Sequence, residues 1–83
     1  MKINNPVSVI SSYNHRLNSV SPRKIIWNGR EYIITKTGLH HTYRQGRTLF
    51  HVFSVVGGNI FFRLVLNTDN LFWQLDEIDE SLQ

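Results

Sequence analysis

No cysteine occurs in the chain. No disulfide can therefore brace the fold, no thiolate can act as a nucleophile, and no cysteine-ligated zinc is available. A chain of 83 residues is expected to form one domain, with a core built from apolar side chains alone. Long apolar runs are also missing. Nothing approaches the roughly 20 residues of a membrane helix. Lys2, Asn4, Asn5 and Pro6 interrupt the start, where a signal peptide would need about 7–15 apolar residues. A cytoplasmic protein without a membrane partner is expected.

Acids are scarce over most of the length. Glu31 is the only one before residue 69, whereas all nine Lys and Arg lie within residues 1–63. Residues 1–68 thus carry +8 and residues 69–83 carry −5, a polarity that the net charge of +3 hides. A partner responds to the local field. The basic charge is densest around His40-His41-Thr42-Tyr43-Arg44-Gln45-Gly46-Arg47.

What is present reads as an all-β chain. Residues 1–22, rich in Ser and Asn, are expected to form a partly extended N-terminal arm. Residues 23–76 are expected to form an antiparallel β domain, and 77–83 an acidic tail. Asp76–Glu80 is read as frayed, with a short helix as the alternative. Trp27-Asn28-Gly29-Arg30 carries the clearest turn signal, since Asn-Gly between apolar runs favours a type I′ hairpin. It pairs Ile25 with Tyr32. A Gly57-Gly58 loop sets Val55 opposite Ile60, Phe53 opposite Phe62 and His51 opposite Leu64. A loop over Asn67–Asn70 sets Leu66 opposite Leu71, Leu64 opposite Trp73 and Phe62 opposite Leu75. These registers agree on one apolar face. The hairpin at Arg44-Gln45-Gly46-Arg47 allows two readings. A three-residue loop of Arg44 to Gly46, with Gly46 left-handed, puts Leu39, His41 and Tyr43 on the core face, whereas a two-residue loop of Gln45-Gly46 puts His40 and Thr42 there. The first buries more apolar surface and is preferred. The expected fold is a mostly antiparallel meander of about five strands, strongly curved into a small open barrel or half-barrel.

The opposite face should show Phe50, Val52, Ser54, Phe61, Arg63, Val65, Phe72 and Gln74, with Phe50, Val65 and Phe72 in a row. Either the arm covers it through Val7, Val9, Ile10 and Tyr13, or a partner does. Aromatics flanked by arginine suit stacked single-stranded bases, and Arg and Lys neutralise phosphates. Lys36, His40, Tyr43, Arg44, Arg47 and Arg63 are therefore the nucleic-acid candidates, for DNA or RNA. Phe50, Phe61, Val65 and Phe72 are the candidates for a protein-interaction or homodimer patch. Adjacent strand residues point to opposite faces, so His40 and His41 do not share an ion. No metal and no cofactor are expected. His51 is read as an inward, hydrogen-bonded neutral histidine. The chain has no paired carboxylates in a cleft and no glycine-rich phosphate loop leading into a helix, so a non-enzymatic module is expected.

The stretch Arg23–Asp76 resembles an uncharacterised bacterial family of small β-domains. The shared residues are Ile26-Trp27-Asn28-Gly29-Arg30-Glu31-Tyr32, Gly46-Arg47, Phe50-His51-Val52-Phe53-Ser54-Val55, Phe62-Arg63-Leu64 and Trp73-Gln74-Leu75. Similar domains occur beside proteins resembling translesion DNA polymerases, which implies a role in DNA transactions. They are mostly hairpin and core residues, so the resemblance implies fold more than function, and it assigns no site residues.

Overall fold

A computed structural model describes residues 2–16 and 19–80. Positions 1 and 17–18 of the expected arm, and 81–83 of the expected tail, lie outside them. Eight strands follow one another: β1 Lys2–Pro6, β2 Ser8–Asn14, β3 Ser19–Trp27, β4 Arg30–Ile33, β5 Lys36–Gln45, β6 Thr48–Gly57, β7 Ile60–Asn67 and β8 Phe72–Asp79. They form two antiparallel sheets, ordered β1-β8-β7-β6-β5 and β2-β3-β4. Among the described residues no helix is long and apolar enough to cross a membrane.

The all-β meander is as expected: β5 to β8 run in consecutive hairpins. The apolar face is not covered by closure into a barrel. Instead the three-stranded sheet lies on it. Ile25 of β3 is fully buried together with Phe53, Val55, Phe62, Leu64, Leu75 and Ile78 of the larger sheet. Val7, Val9, Val20, Trp27 and Tyr32 pack against this cluster, and the Tyr32 and Phe62 rings stand 5.1 Å apart.

The expected arm is therefore built into the fold. β1 pairs with β8 and β2 with β3, and the division at residue 22 falls inside β3, where Pro22 is buried. The extended segment expected in the arm is β2, which runs further than its apolar residues indicate because most of its residues are exposed at a sheet edge. Val7 and Val9 turn toward the core, while Ile10 and Tyr13 remain exposed. At the other end, Asp76 to Asp79 belong to β8 and form neither a helix nor a frayed tail.

The Asn28-Gly29 turn forms as read. Both residues have positive φ, 53° and 75°, and Ile25 pairs with Tyr32. The next two hairpins differ from expectation by two residues. Val55 pairs with Phe62 and Phe53 with Leu64, while Leu66 pairs with Trp73 and Leu64 with Leu75. A shift of two keeps every side chain on its face, since strand side chains alternate with period two. Gly57 ends β6 as a strand residue. A Cβ there would meet the Ile33 carbonyl oxygen at 3.0 Å, so the absence of a side chain lets β4 approach.

At the β5–β6 hairpin the preferred register is overturned. Gln45 pairs with Thr48 around a two-residue Gly46-Arg47 turn. His40 and Thr42 therefore share the core face with Phe53 and His51, whereas His41 and Tyr43 lie on the outer face with Val52 and Phe50. The turn matches neither expected loop: Gly46, with φ 62°, is its first residue. In β8 the pairing steps from Leu64–Leu75 to Arg63–Glu77, leaving Asp76 as the extra residue of a bulge.

Candidate nucleic-acid interface

The outer face of the five-stranded sheet is set by the meander's alternation. One row across it is Tyr43, Phe50, Asn67 and Phe72. The next is His41, Val52, Val65 and Gln74. The expected row of Phe50, Val65 and Phe72 is thus split over two rows by the two-residue shift. Tyr43 and Phe50 stack with ring centroids 4.9 Å apart and planes 14° from parallel. Phe72 is 72% exposed. Phe61 lies beside Val56, six residues along β7 from Asn67. That is about 20 Å at the usual rise per residue, and Val65 is about 13 Å away on the same strand, so Phe61 is separate from the row of Phe50 and Phe72.

The basic candidates divide in the same way. Arg44 pairs with Leu49 near the end of β5, and Arg47 sits in the adjoining turn. Both are exposed. Lys36, at the start of β5 opposite Val56, is about 26 Å from Arg44 along the strand. Among the described residues the ion pairs are Lys24–Glu31 and Arg63 with Glu77 and Asp76. Lys36, Arg44 and Arg47 take part in none of them. Arg63 is on the outer face as expected, but its guanidinium lies 2.8 Å from Glu77 and 4.0 Å from Asp76. The bulge brings both carboxylates to it, and its charge is locally outweighed.

His40 is turned away from this surface. Its ring stacks on Phe53 at 4.2 Å, and its Nε2 is 2.8 Å from His51 Nδ1. One ring donates and the other accepts, so at least one imidazole is neutral. Burial, and then the neighbouring His51 and His41, hold the His40 pKa below its ordinary value. His51 faces inward as read, but opposite Leu66 and with His40 as its partner.

The β7–β8 loop stands at the same end of the sheet as the β5–β6 turn, and the two are tied together. Thr68 donates from its N–H and its hydroxyl to the Leu49 carbonyl at 3.1 and 2.8 Å. The Thr48 hydroxyl donates to Asp69 at 2.6 Å. Leu71 in this loop has φ 61° and is 69% exposed. Sequence patterning places Leu71 on the core face opposite Leu66. The loop begins one residue later than its Asn-rich composition suggests, which makes Leu71 its last residue. Beside it runs a groove of about 640 Å³, walled by Val7, Phe50, Val65 and Phe72 and edged by the amides of Asn67, Asn70 and Gln74.

Comparison with family models, curated proteins and solved structures finds no match to this chain.

Proposed function

We propose that the chain is a small, non-enzymatic cytoplasmic module that binds single-stranded nucleic acid across the outer face of its larger sheet. One observation carries the reading: the β5–β6 hairpin carries the Tyr43–Phe50 ring stack on its outer face, Arg47 in its turn, and Arg44 on the reverse side of the same edge strand. Neither arginine is in an ion pair among the described residues, and the two strands carry no carboxylate. Cations there take the phosphates, and the rings give the bases a stacking surface. Such stacking contributes about 1–3 kcal/mol per base. The resemblance of Arg23–Asp76 to small bacterial β-domains found beside or within proteins similar to translesion DNA polymerases agrees, by association, with this partner class. Of the six basic and aromatic candidates, Tyr43 and Arg47 form the centre of the interface, and Arg44 serves it from the reverse side of the edge strand β5. Lys36 extends it toward the other end of β5.

The test is fluorescence anisotropy with labelled single-stranded and duplex oligonucleotides over a salt series. Single strands are expected to bind more tightly, with log Kd linear in log salt. Replacing Arg44 and Arg47 together by Ala should flatten the slope by about 1.4, at roughly 0.7 per phosphate contact on single strands. No binding to any nucleic acid at low salt defeats the proposal. A second reading, self-association or a protein partner through Phe50, Val65 and Phe72, is favoured by the exposed Leu71-Phe72 pair at the groove. Sedimentation of the free chain distinguishes it.

A further inference from the structure

Four strands end the two sheets: β1 and β5 the larger, β2 and β4 the smaller. A sheet edge turns backbone donors and acceptors toward no neighbouring strand, and proteins guard such edges with charge, proline, bulges or shortness. Three of the four are guarded in this way. β1 has Lys2 and Pro6, and β4 is four residues long with Arg30 and Glu31 among them. β5 has Lys36 and Arg44, and its register with β6 shifts between Thr37 and His40. β2 has none of these devices. Ser8–Asn14 is seven residues long and contains no charged residue, proline or glycine. Where its pairing with β3 shifts, the extra residue is Arg23 of β3, so β2 itself runs unbroken. Two of its apolar side chains are open to solvent, Ile10 at 50% and Tyr13 at 63%.

We propose that β2 pairs antiparallel with β2 of a second copy, joining two three-stranded sheets into one of six strands. Charge selects the partner. An uncharged strand meets an identical one without repulsion, whereas β5 against its own copy would gather two Lys36 and two Arg44 on one seam. Arg23, whose Nε donates to Ser12 Oγ at 3.0 Å, stands on β3, one strand removed from the seam. A two-fold contact also closes on itself and leaves no β2 edge to recruit a third copy. The register follows from the length of the strand. With the axis through Ser11, all seven residues find partners: Ser8 faces Asn14, Val9 faces Tyr13 and Ile10 faces Ser12 of the second copy. A slip of two residues leaves two residues of each strand unpaired. A slip of one would set opposite faces against each other, which the alternation of side chains forbids. Val9 and Tyr13 share the face toward the core, since they pair with Ile25 and Val20 of β3. Each Val9 thus gains an aromatic neighbour across the seam, and aromatic against β-branched is a stabilising cross-strand pair. The outer face of the larger sheet takes no part, so this contact is independent of the nucleic-acid reading.

The experiment is sedimentation velocity of the full chain over a concentration series. A dimer that forms with rising concentration is expected, and a monomer throughout overturns the proposal. Ser11 faces its own copy across the axis, which allows a test that misfolding cannot imitate. Ser11 is exposed, so Ser11→Lys and Ser11→Glu should each keep the circular dichroism of the unaltered chain. Each brings two like charges together and should weaken the dimer by about tenfold or more. An equimolar mixture of the two variants should restore a dimer that holds one copy of each. Failure of the mixture to associate overturns the proposal. A dimer indifferent to Ser11→Lys, as one through the outer aromatic face would be, overturns it too. The chain has no cysteine, so introduced thiols report the register. A short bifunctional thiol reagent should join Ser11→Cys chains in pairs. It should leave Ser8→Cys chains single, because those two positions lie about 20 Å apart along the seam. Cross-linking through Ser8→Cys and not through Ser11→Cys overturns the arrangement.

Discussion

Arg63 is the basic side chain on which electrostatic reasoning makes its sharpest prediction. It sits on the outer face, yet replacing it by Met should hardly change nucleic-acid binding. Its single charge is met by Glu77 at 2.8 Å and Asp76 at 4.0 Å, so the local sum with Arg63 present is already negative. Its contribution to the salt slope should be near zero, against about 0.7 for a phosphate-contacting arginine on single strands. Stability should change instead. The side chains of Arg63 and Glu77 are 37% and 25% exposed, so solvent screening keeps the pair near the upper end of surface ion pairs, about 1 kcal/mol. For a domain of this size that corresponds to roughly 4–8 °C in Tm. The converse variant is more telling. Asp76→Asn with Glu77→Gln frees the guanidinium, and the slope should steepen by about 0.7. The assays are thermal unfolding followed by circular dichroism and salt-titrated anisotropy on the same preparations. If Arg63→Met flattens the slope as much as loss of Arg44 does, the arginine leaves its carboxylates for phosphate and the neutralisation argument is wrong.

Two further predictions concern the fold. Ile25→Ala should cost about 2–5 kcal/mol, because Ile25 is fully buried where the two sheets meet. That is a large part of the roughly 4–12 kcal/mol expected for a chain of this length. Urea unfolding measures it, and a loss under about 1 kcal/mol would mean that the small sheet is not packed there as described. The second concerns pH. His40 titrates below its ordinary value in the fold because burial and its neighbours His51 and His41 oppose its charge. The unfolded chain, with a histidine pKa near 6.5, then binds more protons over the window beneath that value. Stability should be complete above pH ~6.5, fall as the pH drops through the window, and level off below the folded pKa. Urea midpoints across pH for the unaltered chain and for His40→Gln test this, and the variant should show the smaller fall.

How much was legible in the sequence depends on what a hydrophobic pattern encodes. It encodes which face a residue takes. That is why Phe53, Val55, Phe62, Leu64, Leu66, Trp73 and Leu75 were placed on the correct face while their partners were misassigned by two positions. A slip of two leaves the alternation unchanged, and Gly57, Gly58 and Asn59 are all acceptable turn residues. Asn28-Gly29 escaped this ambiguity because it can adopt two consecutive positive φ angles. At the β5–β6 hairpin the apolar character of Leu39 and Tyr43 points to the wrong face. Leu39 is in fact 77% exposed, and His40 stacks on Phe53 in the core-side row. At the start of β2 the Val7-Ser8-Val9 alternation marks an extended segment but not its length, since an edge strand needs few apolar residues. The Asp76 bulge leaves no trace in composition, so the capture of Arg63 by two acids could not be read from spacing. The groove depends on the two-residue shift and on Pro6–Val9 running past Trp73, both long-range facts.

The pairing of β1 with β8 has a consequence for how the chain is made. Asn5 faces Leu75, so the partners are 70 residues apart. At about 5–20 residues per second of synthesis, β1 emerges several seconds before the strand that will hold it. Over that interval β5, β6 and β7 can zip together as local hairpins, whereas β1 has no place to dock. Its composition suits the wait. Asn4, Asn5 and Pro6 make β1 a poor template for pairing with other nascent chains. Closure by a strand from the far end of the sequence also raises the contact order, which slows folding. The last step in building the larger sheet is then the seating of β1 against β8.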